Sequence, residues 1–187
     1  MPDLIVVGTI AYDSIETPYG KRERALGGSA SYFSYAASFF TSVGVVGIVG
    51  RDFPKNMLDA HRKQGIDLSG VVRDENGKTF FWSGSYCGDM NSATTHETQL
   101  NVFADFEPKL SREFSRAPFV FLANSHPCSQ MAVIEQVEGD SLICCDSMNY
   151  WITSANNELK SVLSRVDGFF CNDAEARMLT GVSNLIL

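Results

Sequence analysis

The sequence contains no apolar run of the roughly 20 residues needed to span a bilayer. Its opening apolar stretch, residues 4–7, follows Asp3 without a basic region, so it reads as a first β-strand and not as a signal peptide. Basic residues are outnumbered: Lys+Arg is 15 against Asp+Glu 22, a net charge of -7. That balance disfavours loose binding to nucleic acid or to an anionic membrane surface. It leaves room for an anionic ligand, because a local site can be positive on an acidic protein. Cysteine pairing signals are missing as well. Cys87, Cys128, Cys144, Cys145 and Cys171 are odd in number and include no CxxC. They read as reduced thiols of a cytoplasmic protein. The adjacent pair Cys144 and Cys145 sits on an apparent strand, so its side chains point to opposite faces. HExxH, GxSxG and GxxxxGK(S/T) are all absent. His61, His96 and His126 have no metal-ligand spacing. Gly8-Thr9-Ile10-Ala11-Tyr12-Asp13 lacks the second and third glycines of a dinucleotide fingerprint, which disfavours a Rossmann-type oxidoreductase. There is no internal repeat, low-complexity tract or linker.

What remains is an ordinary globular composition. Of 187 residues, 44% are hydrophobic and 20% charged, with 13 Phe, which excludes disorder. A chain of this size can bury about 70% of its unfolded surface and needs no disulfide or metal staple. The pattern alternates strand and helix. Residues 4–8, 43–49, 119–123, 142–145 and 168–171 read as strands. Residues 29–40, 54–64, 130–137, 156–164 and 173–179 read as helices, with Pro54 suited to a first turn and Gly65 to a C-terminal cap. Such alternation predicts a mostly parallel central sheet with helices on both faces. Two segments stand outside it. Residues 14–26 are polar and extended. Residues 70–73 and 78–86 flank Asn76-Gly77, a strong two-residue turn signal, and read as a hairpin. These segments, about 14–26 and 70–103, are expected to form a small β lid over one side of a single α/β domain spanning 1–187.

In open α/β sheets ligands bind at the carboxyl ends of the strands. Every predicted strand end is polar: Gly8 to Asp13, Asn124-Ser125-His126, Asp146 to Asn149, and Asn172 to Glu175. The pair Gly27-Gly28 before Ser29 lets backbone approach a ligand and opens a helix with free N–H groups; a tight turn is the commoner reason for such a pair. Asp13 could accept hydrogen bonds from sugar hydroxyls or hold an Asx turn. Asn172 and Glu175, spaced i, i+3 at a helix start, could order a hydrated cation near phosphates or simply cap the helix. Asp146 and Asn149 could bind ligand or hold a loop.

These stretches together resemble the ribokinase-like carbohydrate kinases, the PfkB family. Val6 to Asp13 looks like the opening strand and substrate aspartate, and Gly27-Gly28-Ser29-Ala30 like the Gly-Gly loop. Gly47-Ile48-Val49-Gly50-Arg51-Asp52 with Gly65-Ile66-Asp67 follows in order. Cys171 to Ala176 and Leu179-Thr180-Gly181 are similar to the N-x-x-E segment and its helix. The resemblance implies transfer of the ATP γ-phosphate to a hydroxyl of a sugar or sugar-like acceptor, with ATP and Mg2+ as cofactors. A nucleoside kinase, or a short form that binds a small molecule without turnover, is the alternative. By the resemblance Asp13, Gly27, Gly28, Ser29, Asn124, Asp146 and Asn149 would meet the acceptor. Asn172 and Glu175 would organise magnesium and phosphates. Phe81, Trp82 and Tyr86 could stack on a sugar or base, or form a lid core or dimer contact. A homodimer could form through the lid.

One part of the family pattern is missing. The G-A-G-D loop, which supplies the anion hole and the catalytic base, is absent; Gly88-Asp89 and Gly139-Asp140 are the only Gly-Asp pairs. No catalytic base is therefore assigned. The 187 residues are expected to be the acceptor half of the fold, without its C-terminal part, inactive alone, and with an exposed edge strand near residues 168–171.

Overall fold

The computed structural model describes residues 1–184 apart from Asp89, Asn91 and Ser92. In chain order the first elements are β1 (Leu4–Val7), β2 (Ala11–Thr17), β3 (Gly20–Gly27), α1 (Ser29–Ala37), β4 (Val43–Gly50), α2 (Asp59–Lys63) and β5 (Asp67–Asp74). They are followed by β6 (Phe80–Tyr86), β7 (Ala93–Gln99), β8 (Phe119–Leu122), α3 (Pro127–Ile134), β9 (Leu142–Asp146), α4 (Asn149–Ser154), α5 (Asn156–Leu163), β10 (Gly168–Phe170) and α6 (Asp173–Thr180).

Six strands form a parallel sheet in the order β10-β9-β8-β1-β4-β5. The other four form a second sheet, β3-β2-β6-β7, in which β2 and β6 run parallel and the outer pairs antiparallel. The central strands β1 and β4 are short valine-rich runs, and all eight residues of β4 are buried. Burial on both faces is what a parallel sheet requires. Alternate residues of β1 serve opposite faces. Ile5 and Val7 pack with Val133, Ile134 and Val162, so α3 and α5 cover one side. Val6 packs with Ala30, Phe33 and Leu58, so the other side lies beneath α1 and the segment leading into α2. Cys144 and Cys145 divide between these two cores as the strand alternation predicts, and all five cysteines are free thiols. A third small cluster, Ala11, Ile48, Phe80 and Phe103, joins the two sheets.

The expected hairpin around Asn76-Gly77 does not form. The turn exists, and the Asp74 carboxylate accepts from Asn76 N–H at 2.8 Å. Its arms part, however: β5 pairs with β4 in the main sheet, and β6 pairs with β2 in the second. Residues 70–74 of the expected lid segment therefore belong to the central sheet. Turn chemistry is local, whereas the edge of β4 offers a row of backbone groups that must find partners. The second sheet also takes in residues 11–13 of β2, and within the expected lid segment Ala93–Gln99 forms β7 against β6. The helix expected over 54–64 begins as a 3-10 turn, Lys55–Leu58, and becomes α2 only from Asp59. The helix expected over 29–40 stops at Ala37.

β10 is the outermost strand of the main sheet. Register places Phe119, Leu142 and Phe170 on one face of β8, β9 and β10. All three are about half exposed.

Candidate functional site

The chain leaves β1 toward β4 on one side and later returns to β8 on the other. The crevice beyond the carboxyl ends of β1 and β8 is therefore the topological switch point, where ligands of α/β sheets bind. A cleft of about 180 Å³ lies there, smaller than the roughly 300–1,000 Å³ usual for small-molecule sites. Thr9, Asp13, Gly28, Ser29 and Asn124 give it a polar wall, and Tyr32, Phe80, Trp82 and Tyr86 an aromatic one.

The polar wall is built from contacts between β2, the Gly-Gly turn and α1. The Asp13 side chain lies against Gly27, where an added Cβ would come within 2.1 Å of the Asp13 carboxyl carbon. Gly28 takes φ +90, and a Cβ there would meet the Thr9 carbonyl oxygen at 2.3 Å. Both glycines are thus demanded by packing. Gly28 N–H donates to the Asp13 carboxylate, yet burial dominates and pushes Asp13 up to about 6. The helix start does not offer all of its amides. Ser29 N–H donates to Thr9 Oγ1 at 3.1 Å and Ala30 N–H to the Thr9 carbonyl at 3.1 Å. Thr9 caps α1 from outside, so two of the N–H groups expected to be free at the helix start are already bonded.

Asn124 lines this cleft, and its Nδ2 donates to Met148 Sδ at 3.1 Å. Its Oδ1 is buried without a protein partner. Asn149 and Asp146 do not join it there. Asn149 is exposed at the start of α4 and lines an adjoining cleft with Asn172, Ala174, Glu175 and Met178. Asp146 is absent from both walls. Burial, then the charge of Glu175, lifts it to about 7, and its Oδ1 is buried without a partner. Asn172 and Glu175 form a reciprocal capping box on α6: Glu175 N–H donates to Asn172 Oδ1 at 2.8 Å, and Asn172 N–H to Glu175 Oε2 at 3.0 Å. Burial raises the Glu175 carboxyl above its usual range. Among the described residues no group of three or more His, Cys, Asp or Glu is placed to cage a metal ion.

Two of the three histidines have structural partners, and His96 is exposed on β7 beside Ser85. His61 is buried, its Nε2 2.9 Å from the Ser31 carbonyl. His126 Nδ1 accepts from Cys128 N–H at the start of α3. Thr9, Tyr32 and Met148 line the cleft but were not singled out from sequence. Tyr32 was within reach, since it stands one helical turn after Ser29 and so shares its face. Asp89 of the Gly88-Asp89 pair lies outside the described residues.

A parallel α/β sheet with a second, four-stranded sheet beside its switch-point cleft defines the architecture. The comparisons narrow the class. No family model matches the chain. It is 27% identical over 189 residues to the cytidine kinase of Thermococcus kodakarensis, covering 99% of this chain and 66% of that protein. The nucleoside kinase of Methanocaldococcus jannaschii, an archaeal member of the ribokinase family, matches with a TM-score of 0.72 at 16% identity, over 96% of this chain and 64% of its own. The ribokinase of Arabidopsis thaliana, solved with ribose and ATP, matches with a TM-score of 0.71 at 20% identity, over 96% and 63%. The fold is that of the ribokinase-like, or PfkB, kinases. The chain spans 63% to 66% of the length of these three relatives.

Proposed function

We propose that the chain carries the acceptor site of an ATP- and magnesium-dependent phosphotransferase whose acceptor is a hydroxyl of a sugar or sugar-like molecule. The observation that carries this reading is the seat of Asp13. A carboxylate held on Gly27 and Gly28 at the switch point, beside Thr9, Ser29 and Asn124, presents acceptors and donors to vicinal hydroxyls. Phe80, Trp82 and Tyr86 form an apolar wall beside it, and water displaced from that wall by a bound acceptor would strengthen each polar contact. Asn124, with a buried unpartnered Oδ1, is positioned to take a ligand donor.

Asn172 and Glu175, which line the adjoining cleft, suit the outer contacts of a hydrated magnesium ion, with Asp146 close enough to feel the Glu175 charge. The unpartnered Asp146 oxygen and the neighbouring Glu175 charge form a local anionic corner. When bound, such an ion neutralises charge on the transferring phosphoryl group. The chain's own residues orient the acceptor and hold the lid; no residue in it is assigned as the base. A second reading is binding without turnover: the Gly139-Asp140 pair lies before β9, at the opposite end of that strand from Asp146, so it places no base beside the cleft.

Calorimetric titration of the chain with ribose, fructose and cytidine tests the acceptor site. Asp13→Ala should weaken binding about ten- to a hundredfold, as expected for a charged hydrogen-bond partner, and leave the circular-dichroism spectrum intact. Unchanged affinity would show that Asp13 only holds the turn. Phosphorylated product formed from ATP would reject the second reading.

A further inference from the structure

On β6, residues 80, 82, 84 and 86 share one face, and Phe80, Trp82 and Tyr86 line the acceptor cleft. Trp82 is fixed in place from three directions. Its indole lies across Gly84, where an added Cβ would stand 2.4 Å from ring atoms Cη2 and Cζ2. Its Nε1 donates to Thr95 Oγ1 on β7 at 3.2 Å. The Tyr86 ring meets it edge-on, with centroids 6.4 Å apart. Phe80 and Phe103 support the base of the side chain from the cluster between the sheets. The ring is half-buried and still borders the cleft.

The register gives this placement its meaning. Trp82 pairs directly with Asp13 across β2 and β6. A carboxylate suited to vicinal hydroxyls and a flat apolar face therefore stand side by side, about 5 Å apart at the backbone. A ribonucleoside has the same layout, a diol-bearing ring joined directly to a planar one. A free sugar would satisfy Asp13 and leave the indole without a planar partner.

We infer that Trp82 is the platform on which a planar ring of the acceptor stacks, so the cleft takes a nucleoside in preference to a free sugar. The inference rests on the acceptor-site reading above. Gly84 is the positioning residue, because only the absence of a Cβ lets the indole lie along the strand.

The test is calorimetric binding of cytidine, adenosine and ribose to the whole chain and to Trp82→Ala, Trp82→Phe and Gly84→Ala. At least one nucleoside should bind about tenfold or more tightly than ribose, the scale of base–aromatic stacking. Trp82→Ala and Gly84→Ala should erase that advantage, lowering nucleoside affinity about tenfold more than ribose affinity, and Trp82→Phe should keep most of it. Equal wild-type affinity for ribose and both nucleosides would overturn the platform and leave the acceptor site standing. So would a Trp82→Phe variant that weakens ribose and nucleosides alike. Failure of all three compounds to bind would overturn the acceptor site itself.

Discussion

Arg24 and Asp52 tie the second sheet to the first: Arg24 Nη2 lies 2.9 Å from Asp52 Oδ2. Arg24 takes φ 47 on β3 and its guanidinium stacks 4.1 Å over the Tyr12 ring on β2. Asp52 Oδ1 accepts from Thr79 N–H at 2.7 Å and Thr79 Oγ1 at 2.8 Å, just before β6. The Tyr12 hydroxyl donates to the Asp52 carbonyl at 2.7 Å. One residue beyond β4 thus grips three strands of the lid.

Asp52→Ala should therefore loosen the lid selectively. Losing charged hydrogen bonds and stranding the Thr79 amide costs about 1–3 kcal/mol. Hydrogen exchange should quicken in β2, β3 and β6 while β1, β4 and β8 keep their protection. Unaltered exchange in the lid would show that Ala11, Ile48, Phe80 and Phe103 hold it without the ion pair.

Acid titration should run opposite to the usual carboxylate pattern for two groups. Burial raises Asp13 to about 6 and Asp146 to about 7, above their unfolded value of 3.8. Between those limits the folded state binds more protons than the unfolded chain, so stability falls as pH rises. Asp52 behaves conversely. Burial works against its charge, but hydrogen bonds from Thr79 and Arg24 prevail and hold its carboxyl below the usual range. Its contribution is present above the unfolded value and is lost as pH falls. Asp146→Asn should raise the melting temperature at pH 7.5 and flatten its decline between about pH 4 and 7. A variant whose melting curve tracks the wild type throughout would refute the buried-acid account.

Glu175 separates two roles. Glu175→Gln preserves a capping-box acceptor and should cost under about 1 kcal/mol of stability. If the Asp146–Glu175 corner faces a hydrated cation, the same change should weaken magnesium-dependent stabilisation of the chain. A melting temperature that responds to magnesium identically in both proteins would confine Glu175 to capping.

The half-exposed face of Phe119, Leu142 and Phe170 should drive self-association. Phe170 also meets the buried Phe121 edge-on, with centroids 6.0 Å apart, so the exposed rings continue the core outward. Beside them, among the described residues, β10 pairs on one side only. Sedimentation should show concentration-dependent mass, reduced in Phe170→Ser. A monomer at all concentrations would exclude this face as adhesive.

Much of this was legible in the sequence. Valine-rich runs bounded by glycine marked β1 and β4 because burial on both faces demands apolar residues throughout. Polar residues following each strand marked one edge of the sheet, and Asp13, Gly28, Ser29 and Asn124 do meet there. Asn172 and Glu175 declared a helix start, and the capping box is the form it takes. The partner of β5 was not legible, because Asn76-Gly77 fixes a reversal without saying which strand receives the chain next.

The sequence alone determined the alternation of elements, the ribokinase-like resemblance and the list of polar strand ends, since these depend on residue type and short-range spacing. Only the tertiary structure decided that Thr9 consumes the amides of α1, that Asp146 stands apart from the acceptor cleft, and that Trp82 lies beside Asp13. Each depends on register between strands far apart in the chain. That register is set by how whole faces bury their apolar side chains, a sum over many contacts that no local motif contains.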